Sequence, residues 1–158
     1  MHTNAGPRSQ QGFTLTELAV TVTVAGILTT LAVPSFNGII ASQRARTFAS
    51  ALYATLAKAR SQALTLNNNV TLQAKAGGWA TGWQMLDVNN NVLDDYSATN
   101  GVTVVGPGPV TYRPSGRLPA GAVPPVFQIT TISGSAVNHQ CVSMDLSGRP
   151  YMQPAPAC

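Results

Sequence analysis

The chain has 158 residues, of which 44% are hydrophobic and only 9% charged, with nine Lys and Arg against five Asp and Glu. Charge is far below the roughly 25% of ordinary soluble domains; Thr, Ser, Asn, Gln, Gly and Pro take its place, which suits an exported β-rich domain better than a cytosolic enzyme. The net charge of +4 permits an anionic partner, but extended basic runs are absent, and Arg44/Arg46 and Lys58/Arg60 are the closest pairs.

The length fits one domain plus an appended element. Met1 to Gln11 are polar and carry one positive charge, Arg8. An apolar stretch follows from Phe13 to about Phe36, long enough for a membrane-spanning helix of about 20 residues. Arg8 places the N-terminus in the cytoplasm, while Arg44 and Arg46 argue mildly the other way. Thr14, Thr16, Thr21, Thr23, Thr29 and Thr30 are tolerable in lipid if their hydroxyls bond back to helix carbonyls. Glu17 is the anomaly. A lone acid at the edge of such a stretch is costly and calls for a partner. It also sits badly in a secretory signal, whose apolar core is short and whose charge precedes it. A plain anchor explains the length of the stretch but not its acid.

Gly12-Phe13-Thr14-Leu15-Thr16-Glu17 and the apolar run behind it resemble the processing motif of type IV prepilins and type II secretion pseudopilins. The resemblance implies a leader over residues 1–12 and cleavage between Gly12 and Phe13 by a prepilin peptidase. It implies methylation of the new Phe13 amine and an assembly helix over residues 13–36. Glu17 would pair with the terminal amine of a neighbouring pilin subunit. Removing one partner of a buried pair strands the other, so the pair would direct docking.

Pro34 is expected to interrupt the apolar helix, since an internal proline removes a hydrogen bond, and Asn37-Gly38 weakens the same region. A second helical stretch is predicted from about Ile39 to Leu66. Ala45, Phe48, Leu52, Leu56, Ala59, Ala63 and Leu66 recur at spacings of three and four and form one apolar face. Asn67-Asn68-Asn69 ends that helix. Lys58 and Arg60 read as a solvated face.

Strands are predicted over 70–74, 82–87, 101–105, 110–112, 126–132 and 140–146, with a short last one over 149–152. Gly-, Asn- and Pro-rich turns separate them. The result is an α+β fold with a long N-terminal helix packed on an antiparallel β-sheet head, the head covering residues 37–158. Trp79, Trp83, Tyr112 and Phe127 read as core or rim.

The head sharpens the resemblance. Ala59-Arg60-Ser61-Gln62-Ala63, Gly78-Trp79 to Gly82-Trp83, the acid-and-Asn turn from Asp87 to Asp94, and Tyr112-Arg113-Pro114-Ser115-Gly116-Arg117 are similar to the GspH/FimT branch of minor pilins and pseudopilins. It implies a FimT- or FimU-like minor type IV pilin, or a GspH-like pseudopilin of a type II secretion system. The implied location is the inner membrane with a periplasmic head, then the pilus, at its tip and the cell surface. FimT-like members bind DNA for natural transformation through a C-terminal Gly-Arg-x-Arg motif. This chain has Gly148-Arg149-Pro150-Tyr151, with Tyr151 in place of the second basic residue. Arg149 could contact phosphate of double-stranded DNA, without sequence preference, and Tyr151 could stack on a base. Arg113 and Arg117 would join them only if the fold brings them together. The competing reading of Arg149 is a turn arginine.

No catalytic constellation, cofactor motif or metal site is expected. His2 lies in the leader and His139 has no evident triad. Asp87, Asp94, Asp95 and the neighbouring asparagines do not follow an EF-hand spacing, and an Asn-rich turn explains them. Cys141 and Cys158 would most simply pair in an exported chain and be free thiols in a cytosolic one. A bridge would contribute about 3 kcal/mol in the chain-entropy account.

Overall fold

The computed structural model describes residues 12–97, 101–155 and 158, with the side chains of residues 31–35 outside that description. The expected leader before Gly12, and the Pro34 ring, therefore lie outside the described residues. One helix, α1, runs Leu15–Leu66. The backbone stays helical through Pro34, so the expected interruption there is corrected: a proline costs an interior helix one hydrogen bond, and the turns on either side are retained. The chain divides into two compact units, residues 1–35 and 36–158.

In the first unit, α1 starts with a reciprocal cap. The Thr14 backbone N–H donates to Glu17 Oε2 at 3.0 Å, and the Glu17 N–H donates to Thr14 Oγ1 at 3.2 Å. This is a capping box, in which the side chains of the N-cap and third helical residue satisfy otherwise orphaned donors. Thr21, Thr23, Thr29 and Thr30 return their hydroxyls to the carbonyls of Glu17, Ala19, Ala25 and Ile27. Thr14 and Thr16 do not; they serve the cap instead.

In the second unit, α1 buries Ala41, Ala45, Phe48, Ala49, Leu52, Leu56, Ala59 and Ala63. The alanines let the helix backbone approach the sheets, and the large residues fill the space between. Asn67 adopts a positive φ of 49°, and the Asn68 N–H reaches back to the Ala63 carbonyl at 3.2 Å. That is a Schellman ending with asparagine in the left-handed position. Leu66, expected in the core, is exposed. The helix ends there, and Val70 of the following strand fills the core instead.

Eight strands follow: β1 Val70–Lys75, β2 Gly78–Leu86, β3 Val92–Ser97, β4 Val102–Val105, β5 Val110–Tyr112, β6 Val126–Ser133, β7 Ala136–Met144 and β8 Pro150–Gln153. They make two antiparallel four-stranded sheets, in the orders β3-β2-β1-β5 and β4-β6-β7-β8. Strand β3 was not expected, because Asp94 and Asp95 read as part of a turn. Only Asp87 to Asn91 turns, with Asp87 Oδ1 accepting from the Asn89 and Asn91 N–H groups at 2.8 Å. Asp94 and Asp95 pair across to Met85 and Gln84. Their charges are met by Lys58 at 2.9 Å and Lys75 at 2.5 Å. Trp83 stacks on Tyr96 and meets the edge of Phe48, while Trp79 meets Phe127 edge to face.

Candidate functional site

Two regions carry the expected functional residues. The first is the start of α1. Phe13 is almost fully exposed, and the large apolar side chains from Leu15 to Leu28 are exposed by about half or more. Glu17 is held by Thr14 on the same chain, through both its backbone N–H and its hydroxyl, the latter at 2.9 Å. The sequence signal for this cap is a Thr-x-x-Glu ahead of an apolar run, a role for Glu17 beyond the expected intersubunit pairing. Among the described residues no helix is long and apolar enough to cross a membrane. The expected spanning stretch reaches into residues 31–35, whose side chains lie outside the description.

The second region is one end of the head, where two turns and α1 meet. Asp145 builds the first, between β7 and β8. Its Oδ1 accepts from Ser147 Oγ at 2.7 Å and from the Arg149 N–H at 2.9 Å. The Ser147 hydroxyl and then the Arg149 backbone hold its carboxyl below the usual aspartate range. The second turn closes with the Gly116 N–H on the Arg113 carbonyl at 2.8 Å and the Arg113 N–H on the Arg117 carbonyl at 2.9 Å. The two turns touch at Gly148, whose φ is 79° and whose substitution by any larger residue would place a Cβ 2.5 Å from the Gly116 carbonyl oxygen. The third contributor is α1, from which Arg60 Nε donates to the same Gly116 carbonyl at 2.9 Å.

Arg113 and Arg117 line a cleft of about 670 Å³ with Ser115, Leu118, Pro119, Ala120, Gly121, Leu146 and Ser147. Arg149 and Tyr151 are exposed beside it, Arg149 on the turn and Tyr151 in β8, opposite Ser143. The fold thus brings Arg113, Arg117 and Arg149 to one end and adds Arg60, which sequence reading had assigned to a solvated face. Its only signal was its place next to Ala59 on the buried stripe. Among the described residues the ion pairs use Lys58 and Lys75; no arginine has one. Beneath the cleft, burial pushes the Tyr112 phenol far up, and its hydroxyl points at Met144 Sδ at 2.8 Å.

Cys141 and Cys158 form a disulfide with a Cα–Cα distance of 5.8 Å. It ties the C-terminus to β7, next to β8.

The family pattern described as type II transport protein GspH matches residues 49–148, and a prokaryotic N-terminal methylation motif matches residues 7–33. The chain belongs to the GspH family. Its fold is similar to the type IV minor pilin FimU of Pseudomonas aeruginosa strain PAO1. In one crystal form the TM-score is 0.62 at 19% identity, covering 74% of this chain and 96% of that one. In a second form the TM-score is 0.58 at 20% identity, covering 72% and 98%. It is also similar to the minor pseudopilin EpsH of the Vibrio cholerae type 2 secretion system, with a TM-score of 0.56 at 12% identity, covering 70% of this chain and 97% of that one. No curated protein matches by sequence. The protein is therefore a minor pilin or pseudopilin, with the α+β architecture of that group.

Proposed function

We propose that this protein is a minor type IV pilin, cut between Gly12 and Phe13, methylated at Phe13, and held in the inner membrane by residues 13–36 with its head in the periplasm. It then enters the pilus by docking its helix among other pilin subunits. The observation that carries this reading is the exposed apolar start of α1, headed by one carboxylate. Apolar surface of that extent calls for lipid or other helices. Thr14 meets the charge of Glu17 only in part, so a neighbour's Phe13 amine would gain a charge-assisted bond there. The test is Glu17→Ala in cells. Processing and head folding should persist while incorporation into filaments falls. Normal incorporation would remove Glu17 from docking.

The family description favours a second machine, a type II secretion pseudopilus. Deleting the gene discriminates: loss of surface pili supports the first reading, and loss of protein export with pili intact supports the second.

The arginine cluster favours an added role for the head, non-specific binding of double-stranded DNA during uptake. Among the described residues Arg113, Arg117 and Arg149 make no ion pair, although Asp145 lies in the Arg149 turn, and Tyr151 offers a stacking face. Binding should weaken linearly in log–log form as salt rises, by about 0.9 per phosphate contacted. Arg113→Ala/Arg149→Ala should flatten that slope by roughly 1–2. A gel shift of the detergent-solubilised chain that is absent at low salt, or unchanged in the variant, excludes this role.

A further inference from the structure

A second exposed apolar group lies where α1 enters the head. Phe36, the first residue of the head, is 60% exposed, and Ile39 and Ile40 follow at 56% and 40%. The hairpin of β6 and β7 is fastened to this part of the helix. Thr131 Oγ1 donates to the Ala41 carbonyl at 2.6 Å, and Ser133 Oγ lies 3.4 Å from Asn37 Oδ1. At the hairpin tip Gly134 takes a φ of 57°, and a Cβ there would fall 2.6 Å from Asn37 Nδ2. Thr131 and Ser133 face the helix, so Ile132 between them faces outward. It pairs with Val137, and the two are exposed at 58% and 53%.

The tip is also uncharged. No Asp, Glu, Lys or Arg occurs from Leu118 to Met144. Charge begins again on the helix just past the collar, with exposed Arg44 and Arg46. Arg44 is at the same end of the second sheet: a Cβ on Gly101 would meet its Nη1 at 3.3 Å, and Gly101 leads into β4, whose Val102 pairs with Thr131.

We infer that Phe36, Ile39, Ile40, Ile132 and Val137 form a collar that seats the head in the surface of a phospholipid bilayer before assembly. Apolar groups enter the acyl boundary, and the arginines above them meet anionic headgroups. Connectivity supports lipid as the occupant, because Phe36 is bonded to the end of the apolar stretch and must start where that stretch stops. Charge supports it too. A second copy docking the same collar face to face would bring Arg44 and Arg46 of each chain together. The inference rests on the reading that residues 13–36 enter a bilayer.

The test uses the full chain, with its disulfide intact, in vesicles of phosphatidylethanolamine and phosphatidylglycerol. A fluorescent label is placed on Ser135→Cys at the tip, Val24→Cys in the apolar stretch, or Asn89→Cys on the far β2–β3 turn. Spin-labelled lipids then report depth. The tip label should be quenched at about 5–10 Å below the headgroup boundary, the Val24→Cys label more deeply, and the Asn89→Cys label not at all. Ile132→Glu/Val137→Glu should abolish quenching at the tip and leave it at Val24→Cys. Quenching at Val24→Cys with none at the tip overturns the collar while the bilayer reading stands. No quenching at either overturns both. A tip label shielded from water but not quenched by lipid, and more so at high protein-to-lipid ratio, assigns the face to a second copy and also overturns the proposal.

Discussion

The two parts of α1 treat the same residue types in opposite ways. Between Leu15 and Leu28 its leucines, valines and isoleucine stand about half to four-fifths exposed, whereas Leu52 and Leu56 are completely buried against the sheets. The difference is not propensity, since both stretches are helical. It is the presence of a partner within the chain. The head closes its own core, and the first stretch carries no such core of its own among the described residues.

Truncating the core should break the head without touching the first stretch. Trp83→Ala removes the ring that stacks on Tyr96 and meets Phe48, and should cost about 3–5 kcal/mol in denaturant unfolding. A loss well under that range would mean that the head is less self-sufficient than its burial suggests. Cys158→Ser opens the disulfide at its exposed end. It should cost about 3 kcal/mol, seen as a lower midpoint in the same assay, with β8 the first strand to lose amide protection. Thr14→Ala acts on the other side of the comparison. It removes the capping box and should cost about 1 kcal/mol locally, so the Glu17 and Leu18 amides exchange roughly fivefold faster while the head's midpoint is unchanged. A shift in that midpoint would show that the two units are energetically coupled.

Acid should produce the smallest and broadest effect, in two turns and one strand of the head. Asp87 is held low by Asn91, Asp95 by Lys75 and Asp145 by Ser147. A carboxyl lowered in the folded state stabilises it above the ordinary aspartate value, about 3.9. That contribution is lost as pH falls through the lowered values. Thermal midpoints should therefore be flat near neutrality and fall below about pH 4, with a shallower fall in Asp145→Ala. An equal fall in that variant would leave Asp145 without a part in acid stability.

Much of this was legible in the sequence where the physics is local. The stripe from Ala45 to Ala63 follows from helical spacing, and Asn67 ends the helix because asparagine tolerates a positive φ. The Thr14–Glu17 cap is equally local, a Thr-x-x-Glu spacing in which one acid both caps the helix and carries a cost at a membrane edge. Strand β3 was hidden because its acids argue for a turn, and their stabilising partners, Lys58 and Lys75, come from distant elements.

The sequence by itself determined that an apolar segment with one acid at its head precedes a helix with a buried stripe and a set of short strands. Periodicity, turn chemistry and the Gly12–Glu17 motif are properties of neighbouring residues, so no fold is needed to read them. Only the tertiary structure decided that Arg60, Arg113, Arg117 and Arg149 share one end of the head, and that Ile132 and Val137 lie beside the helix at Asn37. Those groupings depend on strand register and on turns meeting across the fold, which no local spacing encodes.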